Sequence, residues 1–184
     1  MLTQAEILRF LRQAKEEGYY EMFLLELTTG MRRGEIIGLK WRDLNIQTGE
    51  LSISRQVVKT GKSIEITAPK TKSSIRTILL PPDMIEILAE LKKHTHGEWM
   101  FPSPVVDDVP RNPNTLQKKI RKVLERADCK RIRFHDLRHT FATMALENGM
   151  DIKTLSAMIG HISSETTLNI YSHITDTMQQ QAAV

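Results

Sequence analysis

The chain has a single cysteine, Cys129, in 184 residues. That excludes an internal disulfide framework and any cysteine-based zinc cluster. It has no apolar run long enough to cross a bilayer. Its opening, Met1-Leu2-Thr3-Gln4-Ala5-Glu6, lacks a basic n-region and an apolar h-region, so it does not read as a signal peptide. A cytoplasmic location is the simplest expectation. There is no internal repeat and no low-complexity stretch. No acidic triad stands out for metal-dependent nuclease chemistry. His135 and His139 have the spacing of an HxxxH pair, but no Glu follows His135 and no third ligand pattern appears. No metal and no cofactor are expected. Glu35 and Asp136 read as structural acids that orient basic neighbours.

What is present suits one domain of ordinary size. Hydrophobic residues make up 40% and charged residues 26%, enough for a core and normal for a chain in water. The net charge of +4 is mild, but its distribution is not. Arg111, Lys118, Lys119, Arg121, Lys122, Arg126, Lys130, Arg131, Arg133 and Arg138 face only Glu125, Asp128 and Asp136 in the same segment. Such a patch suits a phosphate backbone. The alternative is a solvated basic helix face.

Periodicity predicts a mainly helical α+β chain with one small three-stranded antiparallel sheet. Thr3 and Glu6 form a capping box ahead of the run Ile7, Leu8, Phe10, Leu11, Ala14. A second helix follows Gly18 and breaks at Thr28-Thr29-Gly30. A short one starts near Arg32. Leu51 to Ser54, Ser63 to Thr67 and Arg76 to Leu80 read as strands, with Thr60-Gly61 as a turn. Pro81-Pro82 opens a helix over Met84 to Leu91. Residues 97–113 are loop-like. Further helices run from Asn114 to about Ala127, from about His135 to Glu147, and from Asp151 to Ile159. Asn148-Gly149 and Gly160 are stops. Ser163 or Ser164 could cap a last helix carrying Tyr171. Tyr19 and Tyr20 read as packing residues.

Five residues carry the chemistry. Arg32 follows Thr29-Gly30-Met31, His135 and Arg138 lie in His135-Asp136-Leu137-Arg138-His139, His161 follows Gly160, and Tyr171 comes ten residues later. Two guanidiniums can clamp the non-bridging oxygens of one phosphate. Two imidazoles can move protons near neutral pH. A phenol can attack phosphorus and stay attached, although its ordinary pKa of about 10 calls for a base or strongly positive surroundings. His135 and Arg138, three apart, project from nearly the same helix face. For each tyrosine, arginine or histidine taken singly, a packing or surface role is the commoner one; the set in order is what points to chemistry.

The order and spacing of these motifs resemble the tyrosine recombinase (phage integrase) family, over nearly the whole chain from Leu2 to about Ile174. The strings are Thr29-Gly30-Met31-Arg32-Arg33-Gly34-Glu35, His135-Asp136-Leu137-Arg138-His139-Thr140-Phe141-Ala142, and Gly160-His161 followed by Tyr171. The resemblance implies the family's C-terminal catalytic domain over residues 1–174. It implies a tail over 175–184 that can dock on a neighbouring protomer. It implies site-specific DNA recombination or integration through a covalent 3′-phosphotyrosine, without metal or ATP. Arg32, rather than Arg33, is then the first clamp arginine, because it directly follows the Thr-Gly-x triplet. A lysine in a strand turn protonates the leaving 5′-oxygen. Lys70 is preferred for that role, with Lys72 its rival. Lys72, Arg76, Lys118, Lys119, Arg121, Lys122 and Arg133 are the expected DNA contacts. Double-stranded DNA is the expected partner, with a tetramer forming on it. Full-length members usually carry a further N-terminal helical domain; the chain is either a fragment or naturally short, and a fragment would bind DNA weakly and salt-sensitively. Two other functions fit the same residues: a type IB topoisomerase-like nicking and closing enzyme, and a non-catalytic DNA-binding regulator.

Overall fold

Helix α1, Gln4–Glu16, begins where Thr3 and Glu6 satisfy each other's backbone amides. Its apolar spacing puts Ile7, Phe10 and Ala14 on one buried stripe. That stripe packs on α2, Tyr20–Thr29, where Phe10 and Phe23 lie 5.0 Å apart between ring centroids. Phe23 in turn meets Phe134, at the start of α6 (Phe134–Glu147). A computed structural model describes residues 1–69 and 74–160 of this chain. Among the described residues the remaining helices are α3 (Arg33–Ile37), α4 (Pro82–His94), α5 (Pro113–Arg126) and α7 (Ile152–Ile159).

The strand expectation needs a correction. Among the described residues there are four strands in two antiparallel ribbons, not three in one sheet. β1 (Glu50–Ile53) pairs with β4 (Arg76–Leu79), and nested between them β2 (Gln56–Thr60) pairs with β3 (Ser63–Thr67). The ladder cannot run through, because residues 54–55 on one arm face the much longer 68–75 on the other. Arg55 marks the break. Its guanidinium pairs with Asp43 in the turn Trp41–Asp43 and donates to the Gly38 carbonyl at 3.2 Å. β2 escaped the sequence reading because the Val57-Val58 doublet breaks strict alternation; only Val57 of the two is fully buried.

One core joins α1, α2, α3, the β1–β4 ribbon, α4, α5 and the start of α6. A smaller one lies between α6 and α7, built on Phe141, Ala142, Ala145, Leu155 and Ile159. Gly30 is the junction of the two. It ends α2 in the left-handed region at φ +61°, and a Cβ there would sit 2.4 Å from Phe141 and 2.8 Å from Ile159. Only glycine meets both demands. No described helix is long and apolar enough to span a membrane.

Candidate active site

The Gly30 turn positions Arg32. After it the chain enters α3 with Arg32 as N-cap, its amide donating to the Glu35 carboxylate at 2.9 Å. The Arg32 guanidinium returns to the same carboxylate at 3.0 Å and donates to the Gly160 carbonyl at 2.7 Å. Arg76 approaches Glu35 from β4, with both Nη atoms on the carboxylate at 3.1 and 2.9 Å. Its Nε donates to the Met158 carbonyl at 2.5 Å. Glu35 thus joins two guanidiniums, and both also bind carbonyls at the end of α7. That is the negative end of the helix dipole, where cations belong. Glu35 is held below the ordinary carboxylate range: burial pushes its pKa up, but the Arg76 and Arg32 contacts outweigh it.

Arg138 comes from the second turn of α6 and is almost wholly buried. Its Nη1 donates to the Gly30 carbonyl at 2.8 Å, tying α6 to the turn that positions Arg32. Burial, and next the nearby Arg32 charge, bring its pKa down to about 10, so it stays charged at neutral pH. Arg32, Arg138 and His135 line one cleft of about 580 Å³, together with Arg33, Lys59 and Arg133. Among the described residues only one acid, Glu26, shares that lining. His135 is lowered below an ordinary imidazole by desolvation, then by His139 and Arg138. Its ring stands edge-on to His139, with centroids 4.7 Å apart. Both rings are therefore neutral near pH 7, and His135 can accept a proton. Among the described residues no group of three or more His, Cys, Asp or Glu side chains could hold a metal.

The expected DNA contacts divide. Lys118, Arg121 and Lys122 are exposed on the outer face of α5, opposite its buried Leu116, Ile120, Val123 and Leu124. They form no ion pair among the described residues. Arg133 is exposed beside the cleft and pairs with Asp136 at 3.2 Å. Two others face a different way. Arg76 is turned inward, its side chain 7% exposed, with its donors on Glu35, Met158 and Ser74. Without DNA, the Arg76 donors serve the buried network just described. Lys119 reaches back across α5 to Glu17 at 3.0 Å and lies over the Tyr19 ring at 4.9 Å, so it too is committed to the fold. Lys70, Lys72, His161 and Tyr171 lie outside the described residues. Sequence reasoning missed Glu26, which has no motif around it. The only available signal was an acid set inside the apolar run Met22-Phe23-Leu24-Leu25-Glu26-Leu27.

The chain matches the model of the Phage integrase family over residues 1–178, and it belongs to that family. A tyrosine recombinase XerC-like protein of Caldanaerobacter subterraneus subsp. tengcongensis is 32% identical over 195 residues, covering 94% of this chain and 50% of that protein. The ICEBs1 integrase of Bacillus subtilis is 26% identical, covering 88% and 46%. The chain thus spans about half the length of the curated relatives it matches. The Tn1549 transposon integrase, solved with a circular intermediate DNA, superposes with a TM-score of 0.79 at 23% identity, over 98% of this chain and 65% of that one. The fold is the tyrosine recombinase catalytic-domain fold.

Proposed function

We propose that this chain carries the chemistry of a site-specific DNA recombinase or integrase, cutting and rejoining strands through a 3′-phosphotyrosine. The observation behind the reading is the convergence of Arg32 and Arg138, distant in sequence, on one electropositive cleft with His135 at its wall. Tyr171 attacks phosphorus, the bond to the 5′-oxygen breaks, and the phenolic proton passes to a neutral imidazole such as His135. Lys70 protonates the departing 5′-oxygen. Arg32 and Arg138 stabilise the extra negative charge of the five-coordinate phosphorane, which grows from ground state to transition state. His161 donates to the same phosphate. The phosphotyrosine retains the bond energy, so rejoining by a 5′-hydroxyl needs no ATP.

Residues 1–174 act as the catalytic domain and 175–184 as a tail that docks on a neighbouring protomer. The partner is double-stranded DNA, held in part by Lys118, Arg121, Lys122 and Arg133, with Lys72 added from outside the described residues. Recombination needs four protomers on two duplexes. The Tn1549 integrase, whose fold this chain shares, was solved with DNA, which supports that partner.

A nicked suicide duplex, mixed with wild type and with Tyr171→Phe, tests the reading. A protein–DNA adduct formed by wild type and absent from the variant is expected. No adduct from the longest natural form of the protein, on its own element's ends, would leave a DNA-binding regulator. Plasmid relaxation without a four-way junction would favour a topoisomerase-like enzyme.

A further inference from the structure

Glu26 lies one helical turn before Gly30 on α2 and is wholly buried. Among the described residues, neither of its carboxyl oxygens has a hydrogen-bond partner. It is nevertheless part of the cleft wall that holds Arg32, Arg138 and His135. The charged groups that bear on it are Arg138 from α6, Glu35 from α3 and Arg76 from β4. Arg32, Arg33, Lys59, Arg133 and His135 are the other charged or titratable groups around that cleft. Such a carboxyl is more stable as the neutral acid, because an ion would lack both water and donors. Burial raises its pKa well above the ordinary value, and the Glu35 charge adds to this against the attraction of Arg138 and Arg76.

We propose that Glu26 is a positioning residue that works by protonation: neutral, it leaves Arg138 directed at a bound phosphodiester; ionised, it draws Arg138 inward and cancels one positive charge of the cleft. This rests on the reading of the cleft as a phosphodiester site. The physical reason is competition. Arg138 already anchors one Nη on the Gly30 carbonyl, so its remaining donors can serve either an anion in the cleft or a charge behind it. A phosphodiester and an ionised Glu26 would contend for the same guanidinium, and binding one disfavours the other. By linkage, DNA binding then takes up a proton wherever Glu26 is ionised in the free protein.

The test has two arms. The first needs no DNA: urea unfolding of wild type and Glu26→Gln from pH 5.5 to 8.5. The unfolded chain loses the Glu26 proton at the ordinary carboxylate pKa, while the folded protein holds it to higher pH. Wild type should therefore lose stability relative to Glu26→Gln as pH rises, until Glu26 ionises in the folded state. His135 and His139 titrate in both proteins and cancel. Parallel stability curves would overturn the proposal. The second arm is duplex affinity by fluorescence anisotropy over the same range at fixed salt. Wild type should weaken relative to Glu26→Gln with rising pH, by at most about tenfold per pH unit. Glu26→Met, which removes the proton site with no polar atom, should be as flat as Glu26→Gln. Binding that runs parallel in all three proteins would overturn the coupling but leave the recombinase reading. Binding by none of them would overturn both.

Discussion

Two groups of cations in this molecule carry the same charge in opposite circumstances. Arg32, Arg76 and Arg138 are anchored on Glu35, on carbonyls at the end of α7 and on the Gly30 carbonyl. Lys118, Arg121 and Lys122 stand on the outer face of α5 in water. The first group is fixed before any ligand arrives, so its charge is oriented at no cost when a transition state forms. The second is screened and mobile, and suits contacts that add affinity without placing atoms. Positive charge alone therefore says little; what it is tied to says much.

That contrast can be broken most sharply at Glu35. Glu35→Ala leaves Arg32 and Arg76 without their shared carboxylate and should cost about 3–5 kcal/mol in urea unfolding. A cost near zero would mean the network does not hold the fold. Arg138→Lys keeps a charge but loses the planar fork. It should slow adduct formation on a suicide duplex by about 10²–10³-fold, and an unchanged rate would remove Arg138 from the clamp. On the outer face, Lys118→Ala and Arg121→Ala should each flatten the dependence of log affinity on log salt by about one unit, with stability unchanged within about 0.5 kcal/mol. If either variant instead destabilises the protein like Glu35→Ala, the two groups are not distinct. The finest test is pH. His135 is lowered below the ordinary imidazole value, and in the proposed mechanism its neutral form accepts the proton. Cleavage should therefore fall only when the medium is more acidic than about pH 6.5. An acid limb at or above that value would argue against His135 as proton acceptor.

Much of the architecture was legible because local rules carried it. The Thr3–Glu6 box starts α1, Asp151 caps α7 through the Thr154 amide at 3.0 Å, and Pro82 opens α4. The acids were also read as structural, and Glu35 and Asp136 each bond a neighbouring arginine. The ribbons were less legible. β2 carries no clean alternation, and the break between the two ribbons follows from the unequal arms 54–55 and 68–75, where Arg55 pairs with Asp43, a contact no local pattern announces. Within the cleft, the motif strings singled out Arg32, His135 and Arg138. They did not separate Arg76 from the surface cations, nor point to Glu26.

The sequence by itself determined which side chains are available and which share a helix face, because capping, periodicity and turn chemistry act over a few residues. It also determined family membership, through motifs that keep their order along the chain. Only the tertiary structure decided that Arg76 turns inward, that Lys119 serves Glu17, and that a carboxyl on α2 lies behind Arg138 with no partner among the described residues. Those outcomes depend on which elements pack together, and burial and pairing are properties of that packing rather than of any residue alone.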